Sequence, residues 1–197
     1  MDDYVADLVD LLDTLHIDDA VVGGLSLGGY VAFALLKRAP HYVRGLILAE
    51  RRAGADTPEG REGRTRMLTL VREQGASAVA DQMIPKLLSA DTVRMRPDIV
   101  ERVRSFILAN PVETIAGAIT AMMNRPDSSG LLATVRCPTL VLVGEHDALT
   151  PPAVATGLQQ RIAGATLVVI PDAGHLPNLE QPEAFNRAVG EFLERRA

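Results

Sequence analysis

Leu8, Leu11, Leu12 and Leu15 recur at three- and four-residue intervals near the start of the chain, the spacing of one helical face. Asp2 and Asp3 precede them, where the positive end of a helix favours acids. The pattern then shortens: Ala20-Val21-Val22-Gly23 is a brief apolar run that predicts a strand, and a glycine-rich turn follows it. Val31, Ala32, Ala34 and Leu35 restore helical spacing until Pro40 ends the segment. GLILAE, residues 45–50, predicts a second strand, apolar on both faces as parallel sheets require.

From Arg51 to Leu132 strand character disappears. Amphipathic segments near 60–75, 76–88, 97–109 and 111–124 predict an all-helical insertion. Pro97 and Pro111 suit first helical positions, the latter with Asn110 as its cap. Strands return at PTLVLVGEHD (138–147) and ATLVVIPDAGH (165–175), with a helix opened by Thr150-Pro151-Pro152 between them. After Pro182 a last amphipathic helix places Phe185, Val189, Phe192 and Leu193 on one face. Strands alternating with helices imply an α/β architecture, a mainly parallel sheet of about four strands flanked by helices. The predicted core comprises residues 1–50 and 133–197, with 51–132 as a helical cap inserted between core strands.

Composition narrows the function classes. A chain of 197 residues with 47% hydrophobic and 23% charged positions suffices for one domain with a substantial core. The net charge is −5, and no basic stripe exists to neutralise phosphates, so no nucleic-acid partner is expected. Glu50-Arg51-Arg52 and the arginines Arg61, Arg64 and Arg66 alternate with acids, which predicts solvated faces. A lone Cys137, before Pro138, excludes an intrachain disulfide and is expected to be a small buried hydrophobe. The acidic N-terminus is unlike a secretion signal and no apolar run reaches membrane length, so a cytoplasmic protein without a membrane partner is expected.

The chemistry concentrates in the turn after the first strand. Gly24-x-Ser26-x-Gly28 between a strand and a helix permits a nucleophile elbow: glycines allow a tight turn, and the serine hydroxyl stands at the carboxyl edge of the sheet. The helix that follows aims its first amides at the same spot, where an oxyanion would be stabilised. A serine needs a base, and the base needs an orienting acid. Asp147 and His175 each follow a different apolar strand, where strand ends deliver side chains to a shared crevice. Asp172 is a rival acid, with a surface turn the simpler reading. Glu145 and His146 border Asp147 without a role, and His16 and His41 fall near element ends as surface residues. No histidine has metal-ligand spacing with a second ligand, so neither a metal nor another cofactor is expected. Met122 and Met123 suit either the lining of an acyl pocket or the core of the cap, with core filling the simpler expectation.

With GLSLGG as elbow, GEHDALTPP around the acid and DAGHLPNLEQPEAF around the histidine, the chain resembles the α/β-hydrolase superfamily over essentially its whole length. That resemblance implies Ser26 as nucleophile, Asp147 as orienting acid, His175 as general base and acid, and the Leu27 backbone amide as one oxyanion donor. It implies hydrolysis of small carboxylic esters or lactones through an acyl-enzyme, leaning toward esterases and enol-lactonases. Cofactor-free perhydrolase or haloperoxidase chemistry uses the same triad. Epoxide hydrolases and dehalogenases of this type carry Asp where Ser26 stands, which disfavours them.

The chain departs from the resemblance at its front. Such hydrolases carry several strands before the nucleophile strand, and the loop there supplies a second oxyanion amide; here one helix precedes Ala20. The expected fold is therefore an N-terminally shortened α/β-hydrolase, either a truncated reading frame or a reduced natural form. Its serine strand would lie at a sheet edge, which favours a homodimer through that edge. Loss of one oxyanion donor would lower turnover on the order of a hundredfold. The rival reading is a catalytically impaired remnant that binds or assembles, or that needs a missing N-terminal partner.

Overall fold

A computed structural model describes residues 1–195. Its four strands are β1 (Ala20–Leu25), β2 (Val43–Ala49), β3 (Thr139–Gly144) and β4 (Thr166–Ile170). They form one sheet in the order β1-β2-β3-β4, every pairing parallel. Burial follows position in the sheet. All six β3 residues are buried, whereas the two edge strands β1 and β4 are mostly half-exposed.

Alternate side chains of the inner strands supply two cores. Leu46, Leu48, Val141 and Val143 face a layer formed by helices α1 (Asp2–Thr14), α2 (Leu27–Arg38) and α7 (Pro152–Arg161). Ile47, Ala49, Leu140 and Leu142 face the opposite side, where α9 (Pro182–Glu194) packs through Phe185, Val189 and Phe192. Two leucine expectations fail at the rims. Leu193 is 41% exposed, and on α1 the buried face is Val5 and Leu12 with Leu8, leaving Leu11 and Leu15 more than half exposed. The buried stripe of α1 is narrow because its packing partner is a single helix, α2.

Between β2 and β3 the elements are helical: α3 (Pro58–Leu87), α4 (Ala90–Met95), α5 (Pro97–Leu108) and α6 (Val112–Met123), then a 3₁₀ segment at Ser129–Thr134. The α3 backbone leaves helical geometry at Gly75, with φ 77°, at the division expected from the sequence between 60–75 and 76–88. Helix α4 was not expected; Ser89 caps it by accepting from the Thr92 amide. Pro97 does open α5, but Pro111 precedes α6, and the Asn110 side chain donates back to the Phe106 carbonyl instead of capping forward. Val71, Val79, Ala116 and Ile119 form one small core here, and Ala80, Ile84, Ile99 and Val103 another. No single helix among the described residues is long and apolar enough to cross a membrane.

Two glycines set the strand ends. A Cβ on Gly24 would lie 2.3 Å from the Gly28 carbonyl carbon, and one on Gly144 would lie 2.0 Å from the Gly174 oxygen. Both neighbours are backbone atoms that cannot swing aside. At Gly28, by contrast, a Cβ would meet open space, so only the first glycine of the motif is sterically required. Gly24→Ala is expected to cost about 1–3 kcal/mol or more through overpacking and to lower Tm by about 5 °C or more. Gly28→Ala should leave Tm nearly unchanged in the same thermal melt.

Candidate active site

The backbone hydrogen bonds of the sheet continue one step past each strand. Ser26 N–H donates to the Ala49 carbonyl at 3.0 Å, Glu50 N–H to Leu142 at 3.1 Å, and Glu145 N–H to Ile170 at 2.9 Å. The carboxyl ends of all four strands are thereby held level at one rim of the sheet. Ser26 sits there with φ 50° and ψ −112°, a backbone conformation that costs a non-glycine residue about 1–3 kcal/mol. Leu27 begins α2 immediately afterwards, so its amide has no acceptor within the helix.

His175 arrives from the loop after β4 and is 3% exposed. Its backbone N–H donates to the Leu87 carbonyl at the end of α3. The buried Glu180, on α8 (Pro177–Glu180), accepts from the Gly174 amide at 2.7 Å and the Ser89 amide at 2.8 Å, tying the histidine loop to the helical insertion. The imidazole Nε2 lies 2.9 Å from Ser26 Oγ, and Nδ1 lies 2.8 Å from Asp147 Oδ2. Asp147 Oδ1 accepts from the Leu149 amide at 2.7 Å and the Thr150 amide at 3.0 Å, and the Thr150 hydroxyl donates to Oδ2. Burial alone would raise the Asp147 carboxyl. The bonds from His175, Glu50 and Thr150, with the histidine's charge, outweigh it and hold the group well below the usual carboxylate range. An ionised Asp147 therefore orients the ring so that Nε2 faces the serine.

Of the residues singled out in the sequence, Ser26, His175 and Asp147 meet in one hydrogen-bonded chain. The others lie apart from it: Glu145, His146 and Asp172 form an exposed group beyond the rim, and Asp172, at φ 54°, is the turn residue expected. His16 and His41 are exposed, and Cys137 is half-buried beside the first core with its thiol pushed up by burial. Met122 does both things weighed for it, packing against the Val71 and Ile119 core and bordering the cavity above Ser26, which corrects the preference for core filling alone.

That cavity, about 260 Å³, is lined by Ser26 and His175 below and by Tyr30, Met83, Leu87, Met122 and Leu149 around its walls. Arg52 and Arg64 line it too, as do the acids Glu50 and Asp56. The expectation of solvated arginine faces therefore holds for the exposed Arg61 and Arg66 but fails for Arg51, Arg52 and Arg64. Arg51 is 2% exposed and stacks on Tyr30 and Phe33, with guanidinium carbon 4.2 Å and 4.4 Å from the ring centres. Burial lowers its guanidinium to about 9, so it still carries charge at neutral pH. Arg52 donates to the Leu149 carbonyl at 2.6 Å. Arg64 and the buried Arg125 both pair with Asp56, and Arg125 also stacks on Tyr30 at 4.0 Å. Burial of Asp56 is outweighed by those two arginines, which hold its carboxyl below the ordinary value.

The profile of the Alpha/beta hydrolase family matches residues 1–188. The chain belongs to this family. It is 30% identical over 195 residues to the 3-oxoadipate enol-lactonase 2 of Acinetobacter baylyi, aligning 99% of itself with 71% of that protein. Against the pimeloyl-[acyl-carrier protein] methyl ester esterase of Neisseria meningitidis serogroup B, identity is 32% over 182 residues, 87% of this chain and 67% of the esterase. Among solved structures, a thermophilic esterase from Thermogutta terrifontis, determined with malate bound, superposes with TM-score 0.93 at 44% identity, covering 97% of this chain and 71% of the other. The enol-lactonase from Burkholderia xenovorans superposes with TM-score 0.87 at 31% identity, covering 96% and 71%.

For this hydrolase the residues overlooked in the sequence are Glu50, Arg51, Arg52 and Arg64. Glu50 ends an apolar strand just as Asp147 follows one, so the strand-end rule that selects Asp147 also selects Glu50. Its carboxylate, with Asp147 and His175, offers ligand atoms within 4.8 Å of one another, a grouping invisible to spacing because three strands contribute. Asp147 and His175 bond each other, and Asp147 and Glu50 Oε1 accept from backbone amides, so the group reads first as a hydrogen-bond network.

Breaking the Asp56 ion pairs tests the arginine wall. Asp56→Ala strands Arg125, whose side chain is 2% exposed, and should destabilise the fold by about 3–5 kcal/mol. Because the folded carboxyl lies below its unfolded value, this contribution is present above about pH 4 and is lost as pH falls. Denaturant melts of the two proteins should therefore diverge at pH 7 and draw closer as pH falls below about 4.

Proposed function

We propose that this chain is a serine hydrolase of small carboxylic esters or lactones, acting through an acyl-enzyme. The observation carrying the reading is the continuous hydrogen-bond chain from Asp147 through His175 to Ser26 at the floor of a cavity. Named relatives support it: an enol-lactonase and esterases share at least 30% identity across most of the chain.

The chemistry follows from the geometry. His175 Nε2 takes the Ser26 hydroxyl proton as Oγ attacks the carbonyl carbon. The developing oxyanion meets the Leu27 amide at the start of α2. Collapse of the tetrahedral adduct breaks the ester bond, and the imidazolium returns its proton to the departing alkoxide. Water then attacks the acyl-serine with His175 again as base, releasing the acid and restoring Ser26. Asp147, ionised and fixed by two amides and a hydroxyl, stabilises the imidazolium at both steps. The helices of residues 51–132 act as the cap that shapes the pocket.

Charge at the pocket wall narrows the substrate. Arg52 and Arg64 line the pocket, Arg51 and Arg125 stand behind it against Tyr30, and Asp56, which also lines it, is paired with Arg64 and Arg125. Among the described residues Arg52 bonds a backbone carbonyl and forms no ion pair, so its charge stands at the cavity surface. An ester or lactone bearing a second, anionic group fits this wall better than a neutral one. The malate seen in the related thermophilic esterase, a dicarboxylate, agrees with that preference.

A fluorophosphonate probe should label the purified chain on Ser26, and Ser26→Ala should abolish labelling; an unlabelled parent protein would sink the hydrolase reading. Arg52→Ala should raise KM about 10- to 100-fold for a carboxylate-bearing ester. The same substitution should change KM little for a neutral ester of equal size, and equal effects on both would refute the anionic preference.

A further inference from the structure

Glu50 is 1% exposed, has φ 53°, and occupies the carboxyl end of β2 between the strands that carry Ser26 and lead to Asp147. Its Oε1 accepts from the Gly144 amide at 2.8 Å, bridging β2 to the end of β3. The other oxygen, Oε2, is buried and finds no donor. One atom each of Glu50, Asp147 and His175 lie within 4.8 Å of one another. Two carboxylates this close in a water-poor pocket do not both ionise. Asp147 has the donors that favour charge: two amides, a hydroxyl and the His175 ring. Glu50 has one amide.

We infer that Glu50 is a positioning residue of the triad: a neutral carboxylic acid whose Oε2 proton is donated to Asp147, fixing that carboxylate under His175. This reading satisfies the orphaned oxygen and removes the repulsion between the two acids. It also gives a reason for the strained backbone, since at φ 53° the side chain turns inward beneath the rim while the backbone amide still completes the ladder to Leu142. The charged groups facing Glu50 are Asp147, His175 and, from α8, Glu180, with Arg52, Asp56 and Arg64 lining the same cavity; the adjacent Arg51 turns away to stack on Tyr30 and Phe33. Burial, then Asp147, push the Glu50 carboxyl up to about 10. Glu50 borders the cavity floor beside Ser26 and His175, but the attack and proton transfers run through Asp147, and Glu50 acts through that carboxylate.

The protonation state is testable without turnover. A glutamate in the unfolded chain ionises above about pH 4.3, whereas in the folded chain Glu50 holds its proton to about 10. Over that window the folded state carries one proton more, so this group's contribution to stability is full below pH 4 and declines as pH rises. Glu50→Gln keeps the acceptor for Gly144 and a donor for Asp147 but has no proton to lose. The ratio of folding equilibrium constants, Gln variant over parent, should therefore rise about tenfold per pH unit between pH 5.5 and 8.5. A ratio that stays flat across that range overturns the neutral assignment.

The positioning role rests on the serine-hydrolase reading and is tested by rate. Glu50→Leu should lower kcat about 10- to 100-fold with little change in KM, and should displace the acid limb of the kcat/KM profile to higher pH, because Asp147 regains full negative charge beside the ring. Glu50→Gln should recover most of kcat and return the acid limb to its parental position. If Glu50→Leu folds and keeps parental kcat, or if Glu50→Gln moves the acid limb downward as loss of a real negative charge would, the positioning role is wrong. Should Glu50→Leu fail to fold, the Gln profile alone decides. A parent chain that fails to label with fluorophosphonate refutes the hydrolase reading and with it the triad role; the stability ratio still judges the proton on Glu50.

Discussion

Everything at the candidate site hangs on the parallel ladder running one hydrogen bond beyond each strand. Ser26, Glu50 and Glu145 each donate a backbone N–H to the neighbouring strand, so three strand ends stop at the same height. A serine and a histidine 149 residues apart can then approach to 2.9 Å without either belonging to a flexible loop. Parallel strands point all their carboxyl ends in one direction, which is why a site built from β1, β3 and β4 is possible at all. The glycines at the rim extend the same constraint: Gly24 and Gly144 are places where backbone packs on backbone, and a single carbon would pry the site open.

A second layer of anchoring comes from outside the sheet. The His175 backbone bonds to the end of α3, and Glu180 holds both the histidine loop and the start of α4. The insertion is thus fastened to the residue that must move protons, and the cavity wall and the base share one framework. Arg125 and Asp56 do the same on the other wall, where a buried ion pair and a stack on Tyr30 join the insertion to α2. An ion pair so far from water stabilises little relative to an apolar contact. Its value here lies in fixing orientation: Tyr30, Arg64 and Met122 line the pocket, and each touches a member of that pair or the helix that carries it.

The architecture was legible in sequence because strand and helix periods differ and the strands are short and apolar. The division of α3 at Gly75 and the four-stranded parallel sheet followed from local pattern alone. Ser26, Asp147 and His175 were legible as a set because each follows its own strand. The arginines were not. Arg51 and Arg52 look like a solvated pair because charge normally avoids the interior, and only tertiary structure reveals the aromatic faces and carbonyls that receive them. Glu50 was hidden for a related reason: as the terminal letter of GLILAE it reads as the edge of an apolar run. Nothing local tells that Gly144, 94 residues later, will supply its hydrogen bond.

The rim therefore holds two acids with opposite duties set by their surroundings. Asp147 receives two amides, a hydroxyl and an imidazole, all of which favour its charge. Glu50, one strand nearer Ser26, receives a single amide and is otherwise enclosed. Identical chemistry at the two positions would fail, because two anions would repel and two neutral acids could not stabilise an imidazolium. Divergent donor counts resolve this without any other ion: the better-solvated acid takes the charge and the poorer one keeps the proton. Arg52 and Arg64 line the cavity above this pair, with Arg51 and Arg125 behind Tyr30, on the side where a substrate's own anion would lie. Asp56 on that wall is matched by Arg64 and Arg125, so the wall in front of the serine is net positive while Asp147 holds its negative charge behind the histidine. That polarity suits attack on a carbonyl whose far end is anionic, since substrate and triad acid are held on opposite sides of the reacting carbon.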